Sequence, residues 1–468
     1  MARPSATDAG LIQGLGLLDA TALVMGSMIG SGIFIVSADI ARQVNSPGLL
    51  IMTWLVTALL TLAAALSYGE LAAAMPQAGG QYVYLREAFG PLCGFLYGWT
   101  LLLVIQTGTI AAVAVAFAKF AGVFLPWISA DRWLLRIGSA GVNTQQLTAI
   151  GVLALLTWVN TRGVRAGALV QNVFTFTKTA ALLGLIGLGF LLGRNAQAVE
   201  TNFGDFWRDA GWDFTAVRLV GVAMVGALFS SDAWNNVTFA AAEIRNPRRN
   251  VPLALAIGVS VVSALYLACN FAYLTVLPLE AIQHAPEDRV ATAAAQRILG
   301  PPAVYAMAAA IMISTFGCAN GMILAGARVY FAMARDGLLF RSLARLHPLR
   351  RTPNLSLAVQ CLWACALTLS GTYSDLLDYV IFAVLVFYIL TIAGVFVLRR
   401  KRPDMERPYR AWGYPLLPAI YIALAGLIEI LLLLYKPRYT WPGLIIVLLG
   451  VPFFWLWRRR AAGASGAA

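Results

Sequence analysis

Charge is scarce in this chain. Asp, Glu, Lys and Arg make up 12% of its 468 residues, while hydrophobic types make up 60%, against roughly a quarter charged in ordinary soluble domains. A water-soluble globule of this length needs a larger ionic surface, so that class is excluded. Histidine is nearly absent: His284 and His347 are the only two, and both sit in polar connections far from any cysteine, which leaves no zinc-type ligand spacing. The five cysteines, Cys93, Cys269, Cys318, Cys361 and Cys365, all lie inside apolar runs. They read as small buried hydrophobes rather than a disulfide framework. No metal and no cofactor is expected. The 42 glycines follow no fixed period, which excludes a collagen-like chain.

What is present is a series of apolar stretches, each long enough to cross a hydrocarbon core of about 30 Å. Twelve are read, at 17–40, 49–74, 92–125, 146–161, 166–193, 216–243, 252–276, 302–334, 355–372, 376–398, 415–435 and 441–457. The sequence therefore predicts an all-α polytopic membrane protein. Between the stretches, Lys and Arg favour one side about two to one, with clusters at Arg245, Arg248 and Arg249 and at Arg399 to Arg402. By the positive-inside rule both termini are expected in the cytoplasm. The net charge of +13 is then a topology signal. Basic residues shared out among short loops predict no nucleic-acid partner. No cleavable signal peptide is read, and the pieces 194–215, 277–301 and 399–414 are expected to be loops or short helices.

Two stretches are interrupted. The first carries Gly26-Ser27-Met28-Ile29-Gly30-Ser31-Gly32-Ile33-Phe34 at mid-membrane depth, and the sixth carries Phe229-Ser230-Ser231-Asp232-Ala233-Trp234-Asn235-Asn236. Small residues alone would as readily serve close helix packing. Asp232 argues for more, because a carboxylate at the bilayer centre costs roughly 2.5–3.5 kcal/mol and must face water or a partner. Irregular backbone at that depth lines a cavity or is covered by protein. Five spans separate the two breaks, so they would occupy matching positions if spans 1–5 (17–193) and spans 6–10 (216–398) were inverted repeats, with 415–457 as two further helices. Residues 1–16 and 458–468 would be the cytoplasmic ends.

The Gly26 to Phe34 segment closely resembles the first-helix signature of the amino acid–polyamine–organocation transporter superfamily. Phe229 to Asn235, the following Glu243-Ile244-Arg245-Asn246-Pro247-Arg248-Arg249-Asn250-Val251-Pro252, and Phe316-Gly317-Cys318-Ala319-Asn320-Gly321 with Ala327-Arg328 are similar to its L-type amino-acid transporter branch. The resemblance implies the LeuT-type 5+5 inverted-repeat fold with 12 transmembrane helices and broken helices 1 and 6. It also implies a free amino-acid substrate. A half-helix starting after Gly30 would turn unpaired amides and a positive dipole end toward a carboxylate; Ser27, Ser31 and Gly32 match the carboxylate positions, and Gly30 is counted with them among the substrate-binding residues. Met28, Phe229 and Asp232 match the carbonyls that receive the ammonium, Ser230 lies beside them, and the Phe229 ring matches the extracellular gate. Phe239, about three turns on, is expected to be remote from that gate. Asp232 could also pair directly with an amine, or cap the second half of the sixth helix. In the loop that follows, Asn250 reads as an N-cap with Pro252 in the next first turn.

Lys178, about twelve residues into the fifth stretch, is too deep to snorkel and has no carboxylate on its own helix. Its expected acceptors are the carbonyls freed near Gly30, with Ser314 and Thr315 as further candidates. The position matches a fifth-helix lysine of sodium-independent members, where the amine stands in for sodium. Glu429 has no assigned role beyond packing or a lipid-edge position with a local partner. Related eukaryotic members are joined by a disulfide, from the loop between spans three and four, to a partner glycoprotein. Residues 125–146 hold no cysteine, so no disulfide-linked heavy chain is expected, and a stand-alone transporter of a bacterial inner membrane is. The function expected is sodium-independent permeation of neutral amino acids by alternating access and exchange. A proton-coupled symporter or a cationic amino-acid or polyamine carrier is the alternative. A membrane enzyme lacks nucleophile–base spacing, and a channel would need a continuous polar pore.

Overall fold

The computed structural model describes residues 10–137, 140–211, 213–370 and 373–465. It is built of helices in the order α1 (Leu17–Met28), α2 (Gly32–Val44), α3 (Pro47–Ala74), α4 (Gln81–Phe89), α5 (Pro91–Thr100), α6 (Gln106–Phe124), α7 (Thr144–Thr161), α8 (Val164–Leu191) and α9 (Ala196–Phe203). There follow α10 (Phe214–Ser230), α11 (Asn236–Phe239), α12 (Pro247–Val276), α13 (Leu279–Gln283), α14 (Val290–Leu299), α15 (Ala303–Arg335), α16 (Asn354–Ser370), α17 (Tyr373–Lys401), α18 (Leu416–Tyr435) and α19 (Pro437–Ser465). Among the described residues, nine helical segments are long and apolar enough to cross a membrane, and two further apolar helices are shorter.

Helix boundaries follow local chemistry. Pro47, Pro91 and Pro247 open helices where the first amides need no partner. Asn143 and Gln146 form a reciprocal capping box at the start of α7. A π-helical turn, Leu101–Ile105, joins α5 to α6 in one continuous segment. The connection from α6 to α7 contains an antiparallel hairpin, β1 (Trp133–Ile137) and β2 (Ala140–Asn143), which the apolar periodicity did not signal. The pieces 194–215 and 277–301 carry the short helices expected of them.

The loop reading after the sixth stretch is corrected. Helix α12 starts at Pro247 behind a left-handed Asn246, so Asn250 is no cap, and Pro252 lies inside the helix. Asn250 instead donates from Nδ2 to the Arg245 carbonyl at 2.5 Å.

Helix α1 is surrounded by α8, α12 and α15, while α2 packs on α10. The outer faces remain apolar: Leu169, Val173, Phe176 and Leu183 of α8 are exposed, as lipid contact requires. On one side of the molecule, Leu15 bridges in parallel to Ile244, with Leu15 donating to the Glu243 carbonyl and Arg245 donating to Leu15. Beneath this bridge Glu243 and Arg328, each 1% exposed, form a two-pronged ion pair with contacts of 2.6 and 3.1 Å.

Candidate substrate site

Both predicted interruptions are real breaks. Helix α1 stops at Met28, Ile29 turns extended at ψ 92°, and α2 begins at Gly32. Helix α10 stops at Ser230, and Ala233 takes the left-handed conformation at φ 63° before α11 starts at Asn236. That conformation is costly for a residue with a Cβ and is held only by its surroundings.

The carbonyls released by the first break are taken by three helices. The Lys178 ammonium donates to Gly26 at 2.6 Å, to Ile29 at 2.5 Å and to Ser314 at 3.3 Å. Three donors thus meet three main-chain acceptors. The Ser314 hydroxyl donates to Ile29 at 3.1 Å and Gly30 at 2.9 Å. Cys318 donates to the Ser27 carbonyl, and the Tyr266 hydroxyl sits 3.0 Å from the carbonyls of both Met28 and Ser230. Tyr266 therefore ties the two breaks to each other.

Thr315 departs from expectation: its hydroxyl returns to Ile311 and Met312 of its own helix and does not hold α1. Of the three glycines in the first motif, Gly26 serves packing, since a Cβ there would meet Gln171 at 1.9 Å and Thr175 at 2.2 Å. Gly30 and Gly32 lie at the break itself.

All eight expected substrate residues line one small cavity: Ser27, Met28, Gly30, Ser31, Gly32, Phe229, Ser230 and Asp232. Thr109 and Val113 of α6, Ala233 of the second break and Cys318 of α15 complete its wall. Its volume is about 20 Å³, room for a water and far below the several hundred Å³ of an ordinary ligand pocket. The two breaks are closed on each other in this conformation. The Ser27 hydroxyl is buried in the wall, without a hydrogen-bond partner among the described residues. The amides of Gly32 and Ile33 open the N-terminus of α2, and the next, Phe34, donates to the Ser31 carbonyl at 3.1 Å.

Asp232 borders this cavity and two neighbouring ones. Its carboxylate accepts from the Tyr388 hydroxyl at 2.6 Å. Because α11 starts four residues later with Asn235 as its N-cap, Asp232 is not the cap of the second half-helix. Asn235 donates to Gln81 at 2.7 Å, and Gln81 donates in turn to Thr391 and to the Phe387 carbonyl, so α17 supports the second break throughout. Phe239 is not remote; it lines the cavity on the far side of Asp232 with Tyr97 and Gln106. Among the described residues no group of three His, Cys, Asp or Glu could hold a metal.

Tyr266, Cys318 and Tyr388 escaped the sequence reading because each is an ordinary member of an apolar run. A polar atom recurring at the depth of the breaks was the one available signal. Glu429 also differs from expectation: it is buried, and among the described residues neither carboxylate oxygen has a hydrogen-bond partner.

The family model for amino acid permeases matches residues 15–454. The chain belongs to the amino acid permease family. It is a membrane transporter and not an enzyme. This permease is 33% identical over 448 residues to the large neutral amino acids transporter small subunit 2 of Mus musculus, covering 94% of this chain and 80% of that protein. It is 31% identical to the Asc-type amino acid transporter 1 of Homo sapiens, covering 95% and 83%. The b(0,+)-type amino acid transporter 1 of Mus musculus is likewise 31% identical, with 95% and 89% covered. The first of these relatives is named as a small subunit.

Proposed function

We propose that this permease carries neutral amino acids by alternating access, as a sodium-independent exchanger. The observation that carries the reading is the Lys178 ammonium seated on the Gly26 and Ile29 carbonyls. A fixed cation satisfies the broken helix without a sodium ion. The substrate carboxylate binds the early amides of α2 and the Ser27 hydroxyl, at Ser31, Gly32 and Gly30. The ammonium binds the carbonyls of Met28, Phe229 and Asp232, with Ser230 alongside and the Phe229 ring as the cover. Lys178 and Ser314 hold α1 while α2 and α10 part to admit the substrate.

The chain is proposed to span the membrane twelve times, with residues 17–193 and 216–398 as inverted repeats, 415–457 as two added helices, and both termini in the cytoplasm of a bacterial inner membrane. The odd number of spans separating two matched breaks supports this arrangement. No disulfide joins it to another subunit through the α6–α7 connection, because residues 125–143 contain no cysteine. Asp232, held by Tyr388, favours a second reading in which the site also accepts cationic amino acids.

Uptake of labelled amino acids into proteoliposomes tests both readings. Exchange predicts fast uptake only with amino acid inside, and no response to a sodium gradient. Accumulation driven by sodium, or uptake into empty vesicles at the same rate, overturns it. Competition by lysine or arginine distinguishes the second reading from the first.

A further inference from the structure

A groove of about 330 Å³ opens between α3, α10 and α18, away from the substrate cavity. Its floor is Leu49, Gly221, Met224 and Leu431, all buried, and its mouth is formed by the exposed Val217 and Leu424. The lining residues come from the first ten or so positions of α3 and α10 and from the last dozen of α18. At 1.5 Å per residue this is a depth of about 15 Å, half of a hydrocarbon core of about 30 Å. The groove therefore spans one leaflet and stops.

A cation stands at its head. Arg218, in the second turn of α10 and next to Val217, holds its guanidinium 5.2 Å from the Tyr435 ring centroid at the end of α18. Among the described residues it makes no ion pair. The nearest acid on the groove, Asp213, is spent on the amides of Thr215 and Ala216 as the cap of α10.

We propose that the groove binds one anionic diacyl phospholipid, with an acyl chain in the apolar slot and its phosphate on Arg218. Charge complementarity selects the anionic headgroup, and guanidinium suits phosphate by its planar pair of donors. The slot's one-leaflet depth selects a lipid tail over a spanning helix, which would continue past Met224. The floor residues Gly221 and Met224 belong to α10, the helix that ends at Ser230 in the substrate cavity. Gly221 is already at its limit of approach, since a Cβ there would meet Leu431 Cδ1 at 2.5 Å. A tail in the slot thus braces the half-helix that must move during transport.

Native mass spectrometry of the purified full-length protein with phosphatidylglycerol or phosphatidylcholine tests the site. The wild type is expected to retain one phosphatidylglycerol preferentially. Arg218→Gln should reduce that preference about fivefold, the effect of one basic group near an anionic headgroup. Val217→Trp, at an exposed position that tolerates bulk, should remove the bound lipid, whereas Val261→Trp on the exposed face of α12 should not. Equal retention of both lipids, full retention in Val217→Trp, or a co-purified single-helix protein crosslinked through Val217→Cys would overturn the proposal. Exchange measured in vesicles of phosphatidylcholine alone separates the outcomes: failure of the lipid site leaves exchange intact.

Discussion

The Tyr388 hydroxyl donates to the Asp232 carboxylate at 2.6 Å, tying α17 to the break between α10 and α11. The rings of Trp234 and Tyr68 pack around it, with centroids 5.2 and 5.8 Å from that of Tyr388. Tyr388→Phe keeps this packing and removes one charge-assisted hydrogen bond, worth roughly 1.5–3 kcal/mol. Uptake is expected to lose affinity about tenfold or more with normal membrane insertion. Wild-type kinetics in the variant would separate Asp232 from substrate binding.

Lys178→Ala leaves the Gly26 carbonyl without its ammonium donor and the Ile29 carbonyl with the Ser314 hydroxyl alone. A buried acceptor stranded in this way costs roughly 1–3 kcal/mol. Folding of so large a helical assembly should survive, but the exchange rate should fall at least about tenfold. Scintillation proximity binding alongside uptake checks the division: retained binding with slow exchange assigns the lysine to the conformational cycle.

At Gly32 a Cβ would lie 2.1 Å from Ser230 Oγ and 3.0 Å from Ser230 Cα. Gly32→Val should therefore abolish uptake by forcing α10 away from α2, in addition to crowding the amides. Ser230→Ala removes the nearer clash, so the pair Gly32→Ala with Ser230→Ala should recover part of the uptake lost in Gly32→Ala alone. No recovery would mean that the contacts left in place, Ser230 Cβ at 2.7 Å and Cα at 3.0 Å, dominate.

Phe229→Ala should raise KM more than it destabilises the protein, because the ring lines the cavity between the breaks. Phe239 is an unsuitable comparison, since it borders the adjoining cavity. Phe95, stacked on Trp99 and tilted against Phe454, is buried and lines neither cavity. If Phe95→Ala impairs KM equally, Phe229 packs and does not gate.

Glu243→Gln should lower thermal stability sharply. It leaves the Arg328 guanidinium buried without its counter-charge, which costs about 3–5 kcal/mol. The double variant Glu243→Gln, Arg328→Gln should be less damaged than either single change, as a melting series by tryptophan fluorescence in detergent would report.

The breaks were legible because glycine, serine and a carboxylate at mid-membrane depth conflict with a continuous apolar helix. Lys178 was legible for the same reason, and its acceptors followed from the carbonyls that a break sets free. The partners were not. Tyr388 and Tyr266 are amphipathic residues whose hydroxyls look incidental in an apolar run, and Cys318 resembles any buried thiol. Their roles depend on which helices become neighbours, a long-range relationship that periodicity does not encode. The same limit explains Thr315: Ser314 and Thr315 are adjacent in sequence, but helical geometry points one at α1 and the other back along α15. Glu243 and Arg328 belong to two separate motifs 85 residues apart, and only the fold brings them together as an ion pair.

The bond from Ser314 to Ile29 joins residues 285 positions apart. At roughly 5–20 residues per second of synthesis, the broken first helix waits on the order of 15–60 s before α15 exists to meet it. During that interval its exposed carbonyls need water or the insertion machinery as stand-ins. A helix of the proposed substrate site thus enters the bilayer well before the helix that satisfies its carbonyls. Quality control acting on the nascent chain would sense its unfinished state until the second half has arrived.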